Sequence, residues 1–255
     1  EPFWPSGPRI ISNLLSKYVC KRAFQGIAIS NAVKSYLIKR GEVPNGYTID
    51  VVYYGFQKDT STNAAGLGLI TNIMTGQSSN YKIGTIGRLV PQKDYPTLLN
   101  AFSNVLKSAP KTDLYIVGEG YLQKELIKLS KTIGVNDKVH WLGKTEYVNE
   151  FLSKIDLFIL SSKYEGFGLV LLEAMVAKKP IIAANNSAIP EVLGKIYEGL
   201  FSTGDAKALA QQIKTAISDE NFSKRLVNSY SSQLDFFDPS KMHRNIENVY
   251  SNAGF

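Results

Sequence analysis

The sequence predicts an α/β protein built on a doubly wound parallel sheet, and three observations carry that expectation. First, from Tyr81 onward short apolar runs alternate with helical patterns. Strands spaced by helices in this way call for a parallel sheet covered on both faces. Second, the apolar runs close on glycine or small polar residues, at the carboxyl ends of strands where open parallel sheets bind ligands. Third, the stretch EGFGLVLLE (165–173) lies between the apolar runs IDLFILSSKY (155–164) and PIIAA (180–184). Its order of strand, glycine turn, helix and strand is one βαβ unit.

Taken in order, RIISNLLSKYVCKRAF (9–24) carries apolar residues at helical spacing. GIAIS (26–30) is a short buried strand; Ser30 caps the helix NAVKSYLIKRG, which Gly41 ends. TIDVVYYGF (48–56) is strand-like through Val52. Residues 57–79 are polar and small at both ends and read as a connection, with a helical piece between Ala64 and Met74. YKIGTIGRL (81–89) is a strand in which Gly84 and Gly87 are expected to permit a tight turn, followed by the helix PTLLNAFSNVLKSA (96–109). DLYIVGEG (113–120) and YLQKELIKLSKTIG (121–134) form the next strand and helix, with Gly118-Glu119-Gly120 as the turn and Glu119 exposed. KVHWLG (138–143) is a strand, Glu146 to Ile155 a short helix, and Ala174 to Ala177 an alanine-rich helical pattern. After PIIAA, Glu191 and a loop lead to the helix DAKALAQQIKTAISD (205–219), then NFSKRLVNSYSSQL and a final helix SKMHRNIENVYSN.

The chain has 255 residues, enough for one large or two modest domains, and an ordinary globular composition with 44% apolar and 20% charged residues. Its single cysteine, Cys20, excludes an internal disulfide framework and suits a reducing, cytoplasmic compartment. Cys20 lies among Leu14, Leu15, Tyr18 and Val19 and is expected to be a small buried hydrophobe. With only His140 and His243 beside it, a His/Cys metal site is not expected. The net charge of +7 comes from scattered basic residues. It indicates a mild preference for anions, either a phosphorylated ligand or peripheral contact with an anionic membrane surface, and no nucleic-acid code. No apolar run reaches transmembrane length, and no secretory signal opens the chain. Because the first residue is Glu1 rather than Met, the chain is expected to be a fragment.

Two acids seven residues apart are ordinary solvated charges by themselves. Here Glu173 stands among Leu171, Leu172, Ala174, Met175 and Val176, where a carboxylate needs a partner. Gly166 and Gly168 remove side chains where a ligand could approach the backbone, and the amino end of the following helix is a seat for phosphate. Gly66 and Gly68 do not follow a strand, so no dinucleotide fingerprint is present, and no Walker A motif occurs.

The run EGFGLVLLEAMVAKKPIIAANNSAIPEVL (165–193) resembles the signature of the retaining GT-B glycosyltransferases of family 4. The resemblance extends from about Gly26 to the carboxyl terminus and is densest from Ile83 to Leu193. It implies a GT-B fold of Rossmann-like domains, here with only a partial remnant of the first. Residues 1–56 would be the end of the amino-terminal acceptor domain, 57–79 the interdomain connection, 80–235 the nucleotide-sugar-binding domain, and 236–255 a terminal helix crossing back to the first domain. By the same resemblance, most of the domain that normally holds the acceptor site would be missing from these 255 residues.

The segment GRLVPQKDY matches the family's G-R-L-x-x-x-K motif, which implies that Arg88 and Lys93, beside Gly87, bind the donor phosphates. By the same resemblance Glu165 lies near the transferred sugar, and Glu173 accepts hydrogen bonds from the ribose hydroxyls. The backbone N–H groups of Phe167, Gly168 and Leu169 would face the diphosphate or sugar oxygens, and Lys144 with Thr145 would adjoin the base. The Phe167 ring itself reads as a core aromatic. Pro190-Glu191 resembles the family's strand-end pair, with Glu191 either a helix-capping acid or part of the site wall. Asn185, Asn186 and Ser187 depart from the glycine-rich or threonine-containing run often found there.

The implied activity is metal-independent, retaining transfer of a sugar from a nucleotide diphosphate sugar, with UDP the expected nucleotide. The acceptor would be a hydroxyl of a glycan or lipid-linked molecule, attacked from the front face, with the leaving phosphate assisting deprotonation; no cofactor is implied. The alternative is a catalytically silent nucleotide-sugar-binding subunit that requires a separate acceptor-binding partner. A nicotinamide-dependent dehydrogenase is unsupported, since the fingerprint and any catalytic His or Tyr-Lys set are missing.

Overall fold

A computed structural model describes residues 9–57 and 80–252; the helical piece expected between Ala64 and Met74 lies outside the described residues. The chain opens with helix α1 (Arg9–Cys20), strand β1 (Gly26–Ala28), helix α2 (Asn31–Lys39) and strand β2 (Ile49–Val51). β1 and β2 pair in parallel, with Ile27 opposite Asp50. Ser30 caps α2, its hydroxyl accepting from Val33 N, and Gly41 at φ 70° follows the helix.

The larger unit holds β3 (Tyr81–Ile86), α3 (Tyr95–Leu106), β4 (Thr112–Val117), α4 (Gln123–Thr132), β5 (Val139–Gly143), α5 (Val148–Lys154) and β6 (Leu157–Leu160). It continues with α6 (Leu169–Val176), β7 (Ile181–Ala184), α7 (Ile189–Leu193), β8 (Leu200–Phe201), α8 (Ala206–Ser218), α9 (Glu220–Ser231) and α10 (Pro239–Asn252). The six strands run parallel in the order β5-β4-β3-β6-β7-β8, as the doubly wound pattern predicted. Chain order therefore reverses between β3 and β6, where Ile83 lies opposite Leu157 and Gly84 opposite Phe158.

β4, β6 and β7 are buried along their whole length, which explains the unbroken apolar runs of β6 and β7 and of β4 from Leu114 onward. α3 covers the sheet with Leu98, Leu99, Phe102 and Val105, and Asp205 and Asp219 cap α8 and α9 through their carboxylates.

Four expectations need correction. Gly84 is not a turn residue: it sits inside β3, and a Cβ there would lie 2.6 Å from Ile155 Cδ1 and 2.7 Å from Ile155 Cγ2. Glycine is required at this position because the β6 side of the sheet approaches too closely for a methyl group. The loop expected after PIIAA contains α7, which carries Glu191, and the short strand β8, whose two residues are too few to leave a periodic signal. The helix predicted through Phe24 ends at Cys20.

Cys20, finally, is half-buried rather than buried. α1 turns its polar residues inward: Ser12 hydrogen-bonds the buried Glu42, and Asn13 Nδ2 donates to Arg40 O. Ile10, Ile11, Leu14, Leu15, Tyr18 and Val19 all face outward. Among the described residues, no helix is long and apolar enough to cross a membrane.

The Gly84 contact gives a direct test. Gly84→Ala is expected to cost about 1–3 kcal/mol by overpacking, measured by urea denaturation. Ile155→Ala removes the two nearest clashing atoms and leaves Phe151 Cζ at 2.9 Å, so the double variant should recover part of the loss and be more stable than the sum of the two single losses predicts.

Candidate active site

The reversal between β3 and β6 is where a doubly wound sheet opens a crevice at its carboxyl edge. Two loops meet there: residues 87–94 after β3, and 161–168 after β6. The first is seated by backbone contact with the turn after β4. Gly87 N donates to Val117 O, Leu89 N to Glu119 O and Leu122 N to Leu89 O. A Cβ on Gly118, at φ 135°, would lie 2.0 Å from Gly87 O, and one on Gly120 would lie 2.3 Å from Leu89 O. The glycines of Gly118-Glu119-Gly120 thus serve as a bearing for the Arg88 loop. Tyr95 OH donates to Gly87 O, and Gly87 itself leaves room for the Lys93 stem.

The two loops are stitched together by four hydrogen bonds. Lys163 N donates to Gln92 O at 2.7 Å, and Gln92 Nε2 to Tyr164 O at 3.0 Å. Ser161 Oγ donates to Lys93 O at 2.8 Å. Lys93 Nζ and the fully buried Ser162 Oγ each lie 2.6 Å from Glu165 Oε1. Lys93 and Glu165 form an ion pair with side-chain exposures of only 15% and 8%, one member from each side of the reversal. Among the described residues, Glu165 Oε2 has no partner. Asn186 Nδ2, from the loop after β7, donates to Ser162 O, and Ala188 N to Glu165 O.

Beyond Glu165 the chain enters α6 through Gly168, at φ 90°, with no side-chain cap. The N–H groups of Phe167, Gly168 and Leu169 have no acceptor among the described residues. The Phe167 ring is a core aromatic, as expected: it packs against Tyr54 and Phe237 with centroids 5.4 Å away, and against Tyr53 at 6.0 Å. Its side chain therefore anchors the loop while its backbone borders the crevice.

Glu173 is half-buried on α6 and lacks a partner among the described residues, and burial pushes its carboxyl above the ordinary glutamate range. Arg88 is exposed beside the crevice without a partner among the described residues. Lys144, also exposed, follows β5, and its N–H reaches Glu119 Oε1 at 3.5 Å.

The amino-terminal unit closes on the same loops. Ser30 Oγ donates to Gly166 O at 2.7 Å. Glu191, left open above, is a capping acid for α2. It accepts from Asn31 N at 2.8 Å, Ala32 N at 2.7 Å and Tyr53 OH at 3.0 Å. It also borders a separate cavity of about 620 Å³ shared with Ser35, Lys195 and Gln233, which Arg88, Lys93 and Glu165 do not line. Phe56 N donates to Phe237 O at 2.7 Å, and Gly55 N to Met242 Sδ at 3.1 Å.

The structure thus brings Lys93 and Glu165 into contact at the reversal, with Arg88 on the same loop as Lys93 and the amino end of α6 four residues beyond Glu165. Sequence reasoning passed over Ser162 and the second bond of Ser30, and met Asn186 only as a departure from the family's run; small polar residues closing an apolar strand were the only signal for the first.

A sequence profile described as glycosyl transferases group 1 matches residues 75–232. The lipopolysaccharide core biosynthesis glycosyltransferase LpsE of Rhizobium meliloti is 28% identical over 143 residues, covering 56% of this chain and 41% of that protein. The N-acetyl-alpha-D-glucosaminyl L-malate synthase of Bacillus anthracis is 32% identical over 155 residues, covering 60% of this chain and 40% of that one. The chain thus spans about two fifths of the length of these relatives. The crystal structure of Anabaena Alr3699/HepE in complex with UDP and glucose superposes with a TM-score of 0.84 at 23% identity, over 96% of this chain and 68% of that one. That likeness shows the shared GT-B fold, and the profile match over more than half the sequence settles the ancestry: the chain belongs to the glycosyl transferases group 1 family.

Proposed function

We propose that the crevice at the sheet reversal binds a nucleotide diphosphate sugar, with UDP as its nucleotide, and that the chain carries the donor half of a retaining glycosyltransferase. The acceptor is a hydroxyl of a glycan or lipid-linked molecule. The observation that carries this reading is the Lys93–Glu165 pair held across the reversal. It stands beside the free N–H groups that open α6.

Each group suits a task. The leaving diphosphate gains negative charge as the sugar bond breaks, and Arg88, Lys93 and the amino end of α6 stabilise that charge. An ammonium has three donors, so Lys93 can keep Glu165 and still bind a phosphate oxygen. Glu165 Oε2 is left to accept from a sugar hydroxyl, while Glu173 accepts the two ribose hydroxyls side by side. Lys144, with Thr145, adjoins the base. The cations and helix dipole supply the positive charge that a metal ion supplies at other diphosphate sites.

Retention through a carboxylate nucleophile would call on Glu165, whose Oε1 is already held by Lys93 and Ser162. Front-face attack fits better: the acceptor oxygen bonds the anomeric carbon on the side the diphosphate leaves, and its proton passes to the departing phosphate oxygen. The UDP in the HepE structure favours uridine as the base, and the lipopolysaccharide role in the name LpsE favours a glycan acceptor.

Thermal unfolding with UDP, GDP and ADP tests the reading. A diphosphate at one hundred times its dissociation constant should add about 2.7 kcal/mol of stability. Arg88→Ala should weaken its binding by roughly 10- to 100-fold, the loss expected for a hydrogen bond to a charged group. If no nucleoside diphosphate stabilises the chain, the donor-site reading fails; binding without transfer to any acceptor would favour the silent-subunit alternative.

Glu173 gives a second, oppositely signed prediction. Because burial raises its folded carboxyl, the folded state holds the proton more tightly than the unfolded chain, and stability falls as pH rises through that window. Glu173→Gln should therefore melt at or above the wild-type temperature at neutral pH while losing UDP binding. The thermal gain should vanish by about pH 4, where the ordinary carboxyl is protonated as well. A Glu173→Gln variant that is less stable at neutral pH would show that the carboxylate has a stabilising partner instead.

A further inference from the structure

We propose that Ser30, in the amino-terminal unit, is a positioning residue for the diphosphate-binding loop of the carboxyl-terminal unit. The inference rests on the donor-site reading above and adds to it a residue that sequence reasoning treated only as a helix cap.

The loop needs an outside constraint. Phe167 is flanked by Gly166 and Gly168, the two residues of the segment with the fewest conformational limits of their own. Among the described residues, the Ser30 hydroxyl is the one side-chain donor bonded to the backbone carbonyls of 166–168. In a trans peptide the carbonyl and the following N–H point in opposite directions. Holding Gly166 O at 2.7 Å therefore fixes the direction of Phe167 N–H, the first of the three free N–H groups. The Gly166 Cα faces the same turn, its hypothetical Cβ lying 3.5 Å from Ile29 Cδ1 and 3.8 Å from Val33 Cγ2.

Ser30 is itself rigidly placed. It is fully buried, and its hydroxyl can donate to Gly166 O while accepting from Val33 N, since one hydroxyl offers one donor and two lone pairs. Its carbonyl accepts from Lys34 N. The two remaining first-turn N–H groups of α2, on Asn31 and Ala32, are taken by Glu191. The Asn31, Ala32 and Val33 N–H groups that open α2 are thus all satisfied, two of them by the carboxyl-terminal unit. The contact is reciprocal: Glu191 holds the helix that presents Ser30, and Ser30 holds the loop that faces the crevice.

Two variants separate positioning from capping. Glycine is a tolerable N-cap and alanine a poor one, so Ser30→Ala should unfold at a lower temperature than Ser30→Gly. Both lack the hydroxyl, so both should lose UDP affinity to the same extent, roughly tenfold, in calorimetric titration below either melting temperature. Equal UDP affinity in wild type and Ser30→Gly, with loss only in Ser30→Ala, would reduce the residue to a cap and overturn the proposal. A wild-type chain that binds none of UDP, GDP or ADP would instead overturn the donor-site reading, and the role of Ser30 with it.

Discussion

The ion pair between Lys93 and Glu165 is the interaction on which the rest of the crevice depends. Each member comes from a different side of the sheet reversal, so the pair fixes the spacing of two loops that share no backbone ladder. Two charges removed from water are costly unless the remaining hydrogen-bond capacity is used. Here Ser162 adds a second donor to the carboxylate, and Ser161 holds the Lys93 carbonyl. A crevice braced in this way holds its charges in place before any ligand arrives, which is the preorganisation the proposed diphosphate site requires.

The brace works only because backbones can meet. Gly118 and Gly120 let the turn after β4 press directly on residues 87–89, and Gly84 lets β3 lie close to Ile155. Glycine in these places trades chain entropy for approach, a cost of roughly 0.5–1 kcal/mol each relative to alanine. Side chains at any of the three would push the Arg88 loop outward or tilt β3 away from β6. The glycines and the ion pair are thus one device: the first set the distance between the loops, and the second holds it.

The alternation of apolar runs and helical patterns made the large sheet legible, because strands buried on both faces leave unbroken Val, Ile and Leu. The Arg88, Lys93 and EGFG positions were legible as a resemblance, their chemistry being concentrated in short contiguous segments. Contacts between residues far apart in the chain were not. Nothing local distinguishes the Ser30 that bonds Gly166, 136 positions away, from any other N-cap serine. Glu191 could not be assigned between capping acid and site wall because its partners lie on α2, 159 and 160 positions away. Cys20 was misjudged for a related reason: a helical apolar stripe shows that one face is distinct, but not which face meets protein, and α1 points its serine and asparagine inward.

The two glutamates of EGFGLVLLE show how one motif can divide stability from function. Glu165 is the more buried of the two in side-chain exposure, yet Lys93 and Ser162 compensate it, so its removal from water is offset within the fold. Glu173 is less buried and has no such partner among the described residues, and its raised carboxyl is the mark of that uncompensated burial. The folded chain gains nothing from a charge at Glu173 that an uncharged amide would not provide at lower cost. A group that violates the local rules of burial without a structural return is where a ligand contact is expected. On energetic grounds, then, Glu165 belongs to the architecture, whereas the burial of Glu173 finds no compensation among the described residues.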